Sequence, residues 1–287
     1  MFQYELPRYL PTADELPCSD DTPVDNELQE LIPGLLKSIL QILWVDRMDW
    51  FFGIDMGIYY HPEQPPIVPD GFLSLGVERF YDEELRPSYV LWEEQVVPSF
   101  VLEVVSGTPG REYTSKLDEY ARMGVLYYVI YNSKRRRKPK LEIHKLVNDK
   151  YELQDSNPFW MPEIGLGIGY ERGDYGGLTR DWLYWYNEHN RRYPTPAEQI
   201  RQAQAQVVQE RAQVVQVQAQ VTQERAQVLQ AQAQLAQERA QVLQAQAQVA
   251  QERDRVLQAQ VQVAQGRDRS NKLAAKLREL GIDPDNI

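Results

Sequence analysis

The chain has 287 residues, 43% of them hydrophobic and 25% charged, and a formal net charge of −11. That is apolar content enough for a self-supporting core in one large or two ordinary domains, and it excludes wholesale disorder. One cysteine, Cys18, excludes an intramolecular disulfide framework and a cysteine-based zinc site and fits a reducing compartment. His61, His144 and His189 lie too far apart in sequence to show metal-ligand spacing. The best apolar run, residues 39–44, stops at Asp46 and Arg47, far short of the roughly 20 residues of a membrane span. The start, Met1-Phe2-Gln3-Tyr4-Glu5, lacks the basic and apolar blocks of a signal peptide. The expectation is a cytoplasmic protein with no membrane partner.

Residues 1–24 read as an N-terminal extension. Asn26 or Asp25 can cap a helix over about 27–46, with Leu28, Leu31, Ile32, Leu35, Leu36, Ile39 and Leu43 at helical spacing. Pro33 falls in its early turns and argues for a later start. Strands are expected at 50–60, 71–75 and 99–105. An amphipathic helix follows at 111–123, ended by Gly124, and then strands at 125–131 and 141–146. The all-apolar run 125–130 suggests a central strand buried on both faces. Glycine-rich and aromatic segments at 165–170 and 182–186 are expected to close over the same sheet, with Trp182, Tyr184, Trp185 and Tyr186 in the core and on the sheet surface. The order helix, three strands, helix, strand, strand gives an α/β class, an α+β mixed sheet, for a domain over 25–193.

The composition changes at Pro194-Thr195-Pro196. Beyond it, Gln209-Glu210-Arg211 recurs at 223–225, 237–239 and 251–253, a period of 14, or two heptads. Val207 and every seventh residue to Val263 are Val or Leu, flanked by alanines at 212, 219, 226, 233, 240 and 247. The spacing predicts a long helix over 194–287, starting near Thr195 or Pro196 and stopping near Gly281, and a coiled coil through which the chain forms a homo-oligomer. The seam is poor in large apolar residues; the rival reading is a solvated spacer. This tract carries no catalytic group and is nearly neutral, with 11 basic and 10 acidic residues from Ala197 onward. The front part is acidic, with 20 basic and 32 acidic residues, so any nucleic-acid surface there is a local patch.

Three ionisable residues stand where a purely structural account is awkward. Asp70, in Pro69-Asp70-Gly71, lies at the mouth of a strand, although Pro-Asp-Gly is also ordinary turn chemistry. Glu103 lies inside the apolar strand Phe100-Val101-Leu102-Glu103-Val104-Val105, where a carboxylate is costly unless it is paired or bound to a cation. Lys116 borders a helix face formed by Tyr113, Leu117, Tyr120 and Ala121; by itself it is an ordinary snorkelling lysine. Two carboxylates and a lysine are the parts for divalent-metal phosphodiester hydrolysis. Mg²⁺ takes hard oxygen ligands and keeps several waters, and a lysine can orient the attacking water or offset developing charge. Asp55 is a further candidate ligand or a hairpin partner, with Glu27 and Glu30 behind it.

The stretch Val97-Pro98-Ser99-Phe100-Val101-Leu102-Glu103-Val104-Val105-Ser106, then Lys116, Tyr120-Ala121 and residues 124–130, resembles the Uma-two family of restriction endonucleases, a bacterial branch of the PD-(D/E)XK nuclease superfamily. The resemblance covers about 25–190 and is specific as a combination. It implies a restriction-endonuclease-like core, DNA as substrate and Mg²⁺ (or Mn²⁺) as cofactor, with Asp70 and Glu103 as metal ligands and Lys116 catalytic beside them. The superfamily lysine falls two residues after the acid, where this chain has Val105. The resemblance implies that the lysine has moved to the following helix as Lys116, and that an acid shortly before it, Glu112 or (just after it) Asp118, can assist. Two rivals follow: a noncatalytic scaffold using the repeat helix, and a nucleic-acid binder using the basic run 134–140, which sits in a hairpin loop and is otherwise a solvated tip.

Overall fold

The computed structural model describes residues 10–17, 26–80, 83, 85–105, 111–133 and 137–281. Cys18 and residues 134–136 of the basic run lie outside them. Two compact units meet in the chain between Ala203 and Gln204.

In the first unit, helix α1 (Leu28–Leu43) precedes strands β1 (Trp50–Ile54), β2 (Ile58–Tyr59), β3 (Gly71–Leu75) and β4 (Tyr89–Val90). A short helix α2 (Leu91–Glu94), strand β5 (Phe100–Val104), helix α3 (Ser115–Met123) and strands β6 (Tyr127–Tyr131), β7 (Leu141–Val147) and β8 (Lys150–Gln154) come next. Strands β9 (Phe159–Met161), β10 (Leu166–Tyr175) and β11 (Leu178–Tyr186) precede helix α4 (Pro196–Glu279), which continues into the second unit. The main sheet has six strands in the order β1-β3-β5-β6-β7-β8. Only β5 and β6 are parallel, and α3 forms the crossover that a parallel pair requires. As expected of the 125–130 run, all of β6 is buried.

Alternation along β5 assigns its residues to two cores. Phe100, Leu102 and Val104 pack with α1 and with Trp182 and Trp185 of β11. Val101 and Val105 pack with Phe72, Tyr128, and Tyr120 and Met123 of α3. Glu103 has the same parity as the second set, so its side chain projects toward α3.

The Asn26 carboxamide oxygen accepts the Leu28 N–H at 3.0 Å and caps α1. The helix begins ahead of Pro33 rather than after it, and the proline is buried. A Cβ at Gly71 would lie 2.9 Å from the Pro33 Cβ, so proline and glycine fit together where β3 starts. The strand expected over 50–60 breaks at Asp55, whose φ of 47° turns the chain. Its second piece, β2, pairs in parallel with β4 in a separate two-stranded sheet. The helix expected over 111–123 divides into a 3₁₀ turn, Arg111–Tyr113, and α3, with Gly124 at φ 89° ending it. The 165–170 and 182–186 segments do not join the main sheet. They form β9–β10–β11, an antiparallel sheet of their own. That sheet shares the α1 core, which explains why Trp182 through Tyr186 are all buried rather than alternately. Trp185 donates its indole N–H to the Leu36 carbonyl at 3.0 Å and its ring lies 5.2 Å from Phe100.

Near α2, Arg86 pairs with Glu94 at 2.6 Å, with both side chains almost fully buried. Segment 10–17 lies on this region. The Pro11 carbonyl accepts from Trp92 at 2.9 Å and the Pro17 carbonyl from Tyr59 at 2.7 Å.

Helix α4 opens on a reciprocal cap. Thr195 Oγ1 accepts the Glu198 N–H at 3.2 Å and Glu198 Oε2 accepts the Thr195 N–H at 2.8 Å, with Arg192 paired to Glu198 at 2.8 Å. The 14-residue repeat forms one continuous helix, and the Val207–Val263 track is exposed along its length. No helix among the described residues is long and apolar enough to cross a membrane.

Candidate active site

The antiparallel register of β3 and β5 sets Gly71 against Leu102, which places Asp70 opposite Glu103 one step further on. Asp70 Oδ2 accepts the Val104 N–H at 2.5 Å, and Oδ1 accepts from Gln29 Nε2 at 3.1 Å. Two elements thus orient this carboxylate: the strand beside it and the first turn of α1, which Pro33 and Gly71 seat against the same corner.

Glu103 is 3% exposed. Lys116 Nζ lies 2.8 Å from each of its carboxylate oxygens and 3.3 Å from the Val68 carbonyl. Tyr120 donates its hydroxyl to Glu103 Oε1 at 2.8 Å. Lys116 and Tyr120 are four residues apart on α3, one turn, so both reach the same strand residue. The amphipathic pattern that puts Lys116 at the edge of the buried face therefore turns its ammonium inward, to a side-chain exposure of 21%.

The charges are not balanced. Burial and then the Glu103 charge push Asp70 up to about 8, against the hydrogen bond from Val104 and the charge of Lys116; Asp55 adds to the rise. Burial also raises Glu103, opposed by Lys116 and Tyr120. For Lys116 burial acts downward, but the charge and hydrogen bonds of Glu103 outweigh it and hold the ammonium above its ordinary value. Glu112 acts electrostatically on both Glu103 and Lys116, and its buried Oε2 has no hydrogen-bond partner among the described residues. One ammonium thus faces several carboxylates.

These residues fit a divalent cation. No group of three or more His, Cys, Asp and Glu able to hold a metal occurs among the described residues. Mg²⁺ is commonly held by only one or two carboxylates and keeps waters for the rest of its shell. Asp70 and Glu103 would be such a pair, and the buried Glu112 Oε2, without a hydrogen-bond partner among the described residues, is a further acceptor within electrostatic reach of Glu103 and Lys116.

The structure brings Asp70, Glu103 and Lys116 together. Asp55 lies within electrostatic reach of Asp70, and its N–H points to the Asp70 carbonyl at 3.4 Å. Glu27, Glu30 and Asp118 are exposed. The α1 residue that reaches the site is Gln29, which sequence reasoning missed. Tyr120 was missed as a polar partner because its place on the apolar face accounts for its ring and says nothing of its hydroxyl. The described part of the basic run is partly engaged: Lys138 lies 4.6 Å from the centre of the Tyr113 ring, and Lys140 pairs with Asp181.

A mixed sheet with one acid at the mouth of a strand, a second on the neighbouring strand and a lysine on the crossover helix is consistent with a restriction-endonuclease-like fold. A family model described as "Uma2: Putative restriction endonuclease" matches residues 8–172, more than half of the chain. The protein belongs to the Uma2 family, whose general kind is the PD-(D/E)XK superfamily. The match starts earlier and stops earlier than the 25–190 expected from motifs. No curated protein matches the chain.

Proposed function

We propose that the protein is a Mg²⁺- or Mn²⁺-dependent DNA endonuclease that hydrolyses phosphodiester bonds. Asp70 and Glu103 hold the ion, and Lys116 is the catalytic cation. The observation that carries this reading is the convergence of three residues far apart in sequence, with Asp70 set opposite Glu103 across β3 and β5 and Lys116 turned inward from α3 to the same corner. When bound, the ion activates water and stabilises charge on the phosphoryl oxygens. The chain's own residues do the rest. Gln29 and the Val104 N–H fix the Asp70 carboxylate, and Tyr120 fixes Glu103. Lys116, held protonated by Glu103, acts as a proton donor to oxygen and a charge stabiliser rather than a base. Glu112, four residues ahead of Lys116, adds a third acid to the corner.

A noncatalytic scaffold is favoured by one feature of the same site: Lys116 engages both Glu103 oxygens and closes the pair on itself. Incubating the full chain with supercoiled plasmid and Mg²⁺ or Mn²⁺ separates the readings. Nicking by the wild type that is lost in Glu103→Ala and Lys116→Met is expected. No nicking by the wild type, or equal nicking by Glu103→Ala, rejects the nuclease and leaves the scaffold.

A further inference from the structure

The second unit offers a long surface with its own chemistry, independent of the nuclease reading. Helix α4 is 84 residues, about 126 Å at 1.5 Å per residue. A lone helix of this length does not bury the Val207–Val263 track: Val207 is 45% exposed, Leu235 49% and Val249 64%. The charges beside that track are equally unused. Glu210, Glu224, Glu238 and Glu252, each followed by an arginine, have no ion-pair partner among the described residues. Beyond the repeat, Lys272 pairs with Asp268 at 2.8 Å, four residues apart. The reason is spacing. Each glutamate is next to its arginine in sequence, and adjacent residues do not face each other on a helix; after the first three pairs the next charge is thirteen residues on, and only Glu252 has a later opposite charge within a turn at facing distance, Arg255.

Position on the wheel says what would satisfy them. Measured from the valine track, residue +3 lies about 60° to one side and residue +4 about 40° to the other. Glu210 and Arg211 therefore stand on opposite edges of the valine stripe at almost the same height, and the other three pairs do likewise. On the arginine edge the apolar surface continues through Val208, Val215 and Leu229, all exposed. A two-fold axis parallel to the helix would bring the glutamate edge of one copy against the arginine edge of the other. A perpendicular axis would bring glutamate against glutamate along one edge and arginine against arginine along the other. A seven-residue slip would set each charge against an uncharged residue (glutamine, alanine or Val217), because charged and neutral heptads alternate.

We propose that α4 pairs with a second copy of this chain as a parallel, in-register two-stranded coil, with the valine track between the helices and each Glu of the 14-residue repeat facing the partner's Arg. The alternation of charged and neutral heptads selects the register, and the placement of the two signs selects the orientation.

The test uses the full chain with Cys18→Ser as background. Sedimentation equilibrium is expected to give twice the chain mass of 33.4 kDa. Val207→Cys and Val263→Cys, made separately, are each expected to form a disulfide-linked dimer under mild oxidation. An antiparallel pair centred on Leu235 would instead cross-link only when the two variants are mixed. Replacing Glu210, Glu224, Glu238 and Glu252 by Arg is expected to weaken self-association at least tenfold, and mixing with the Arg→Glu counterpart at 211, 225, 239 and 253 to restore it. A monomeric mass, a mass above two chains, cross-linking only in the mixture, or unchanged association after charge reversal overturns the proposal.

Discussion

Replacing Asp70 by Asn tests whether this corner stores uncompensated negative charge. Asn keeps the shape and an oxygen for the Val104 N–H but cannot ionise. Asp70 titrates near 8 in the fold against 3.8 as a free side chain. A raised carboxylate contributes fully to stability below about pH 4. The contribution is lost as pH rises toward 8, because the unfolded chain ionises freely and the folded one resists; above 8 it changes no further. Between pH 5.5 and the folded value lie about 2.5 units, worth about 3 kcal/mol at 1.36 kcal/mol per unit. In metal-free buffer the advantage of Asp70→Asn over wild type is therefore expected to grow by about 3 kcal/mol from pH 5.5 to 8.5. In a unit of this size that is roughly 6–12 °C in melting temperature. Thermal denaturation followed by circular dichroism at the two pH values reads it directly. At pH 8.5, Mn²⁺ should raise the melting temperature of the wild type and leave the variant unmoved. An advantage that is the same at both pH values would refute the charge argument.

Tyr120→Phe removes the hydroxyl that Glu103 Oε1 accepts from inside the core; urea unfolding at pH 7 should show a loss of about 1–3 kcal/mol, and an unchanged midpoint would contradict the assignment. Glu94→Ala removes the carboxylate that pairs with the buried Arg86 guanidinium, at an expected cost of about 3–5 kcal/mol in the same assay. A loss below about 1 kcal/mol would mean that the pair is solvated. Gly53→Ala places a methyl 2.2 Å from the Phe72 ring and should cost about 1–3 kcal/mol, with a native-like spectrum if the ring gives way; no loss would show that the β1–β3 contact is loose.

Of the two acids and the lysine, only Glu103 broke a local rule, by interrupting an apolar strand. Asp70 sits in ordinary turn chemistry and Lys116 at the border of an apolar helix face, and it was the family resemblance that joined them to Glu103. Their partners broke none. Gln29 is an ordinary polar residue in a first helical turn, and only the packing of α1 at the Pro33–Gly71 corner gives it a carboxylate to hold. The repeat helix, long and with a clear period, was read to within a few residues of its ends, and the short strand at 71–75 was read in place. β2, β4 and α2 have two to four residues and no period to detect. The separate sheet of β9–β11 escaped for another reason. Alternation tells which residues of a strand turn inward, but hydrogen-bonded neighbours are chosen in three dimensions, and Trp185 had equal claim to either sheet until α1 supplied the Leu36 carbonyl.

The snug fit of Pro33 on Gly71 gives the first helix a mechanical role as well as a structural one. A single methyl group added at position 71 would act as a wedge, prying that rod from the strand mouth and carrying the Gln29 amide off with it, so the neighbouring acid would lose its tether while every ionisable group stayed in the sequence. The geometry of the acidic corner is thus vulnerable through a contact between two residues that carry no charge.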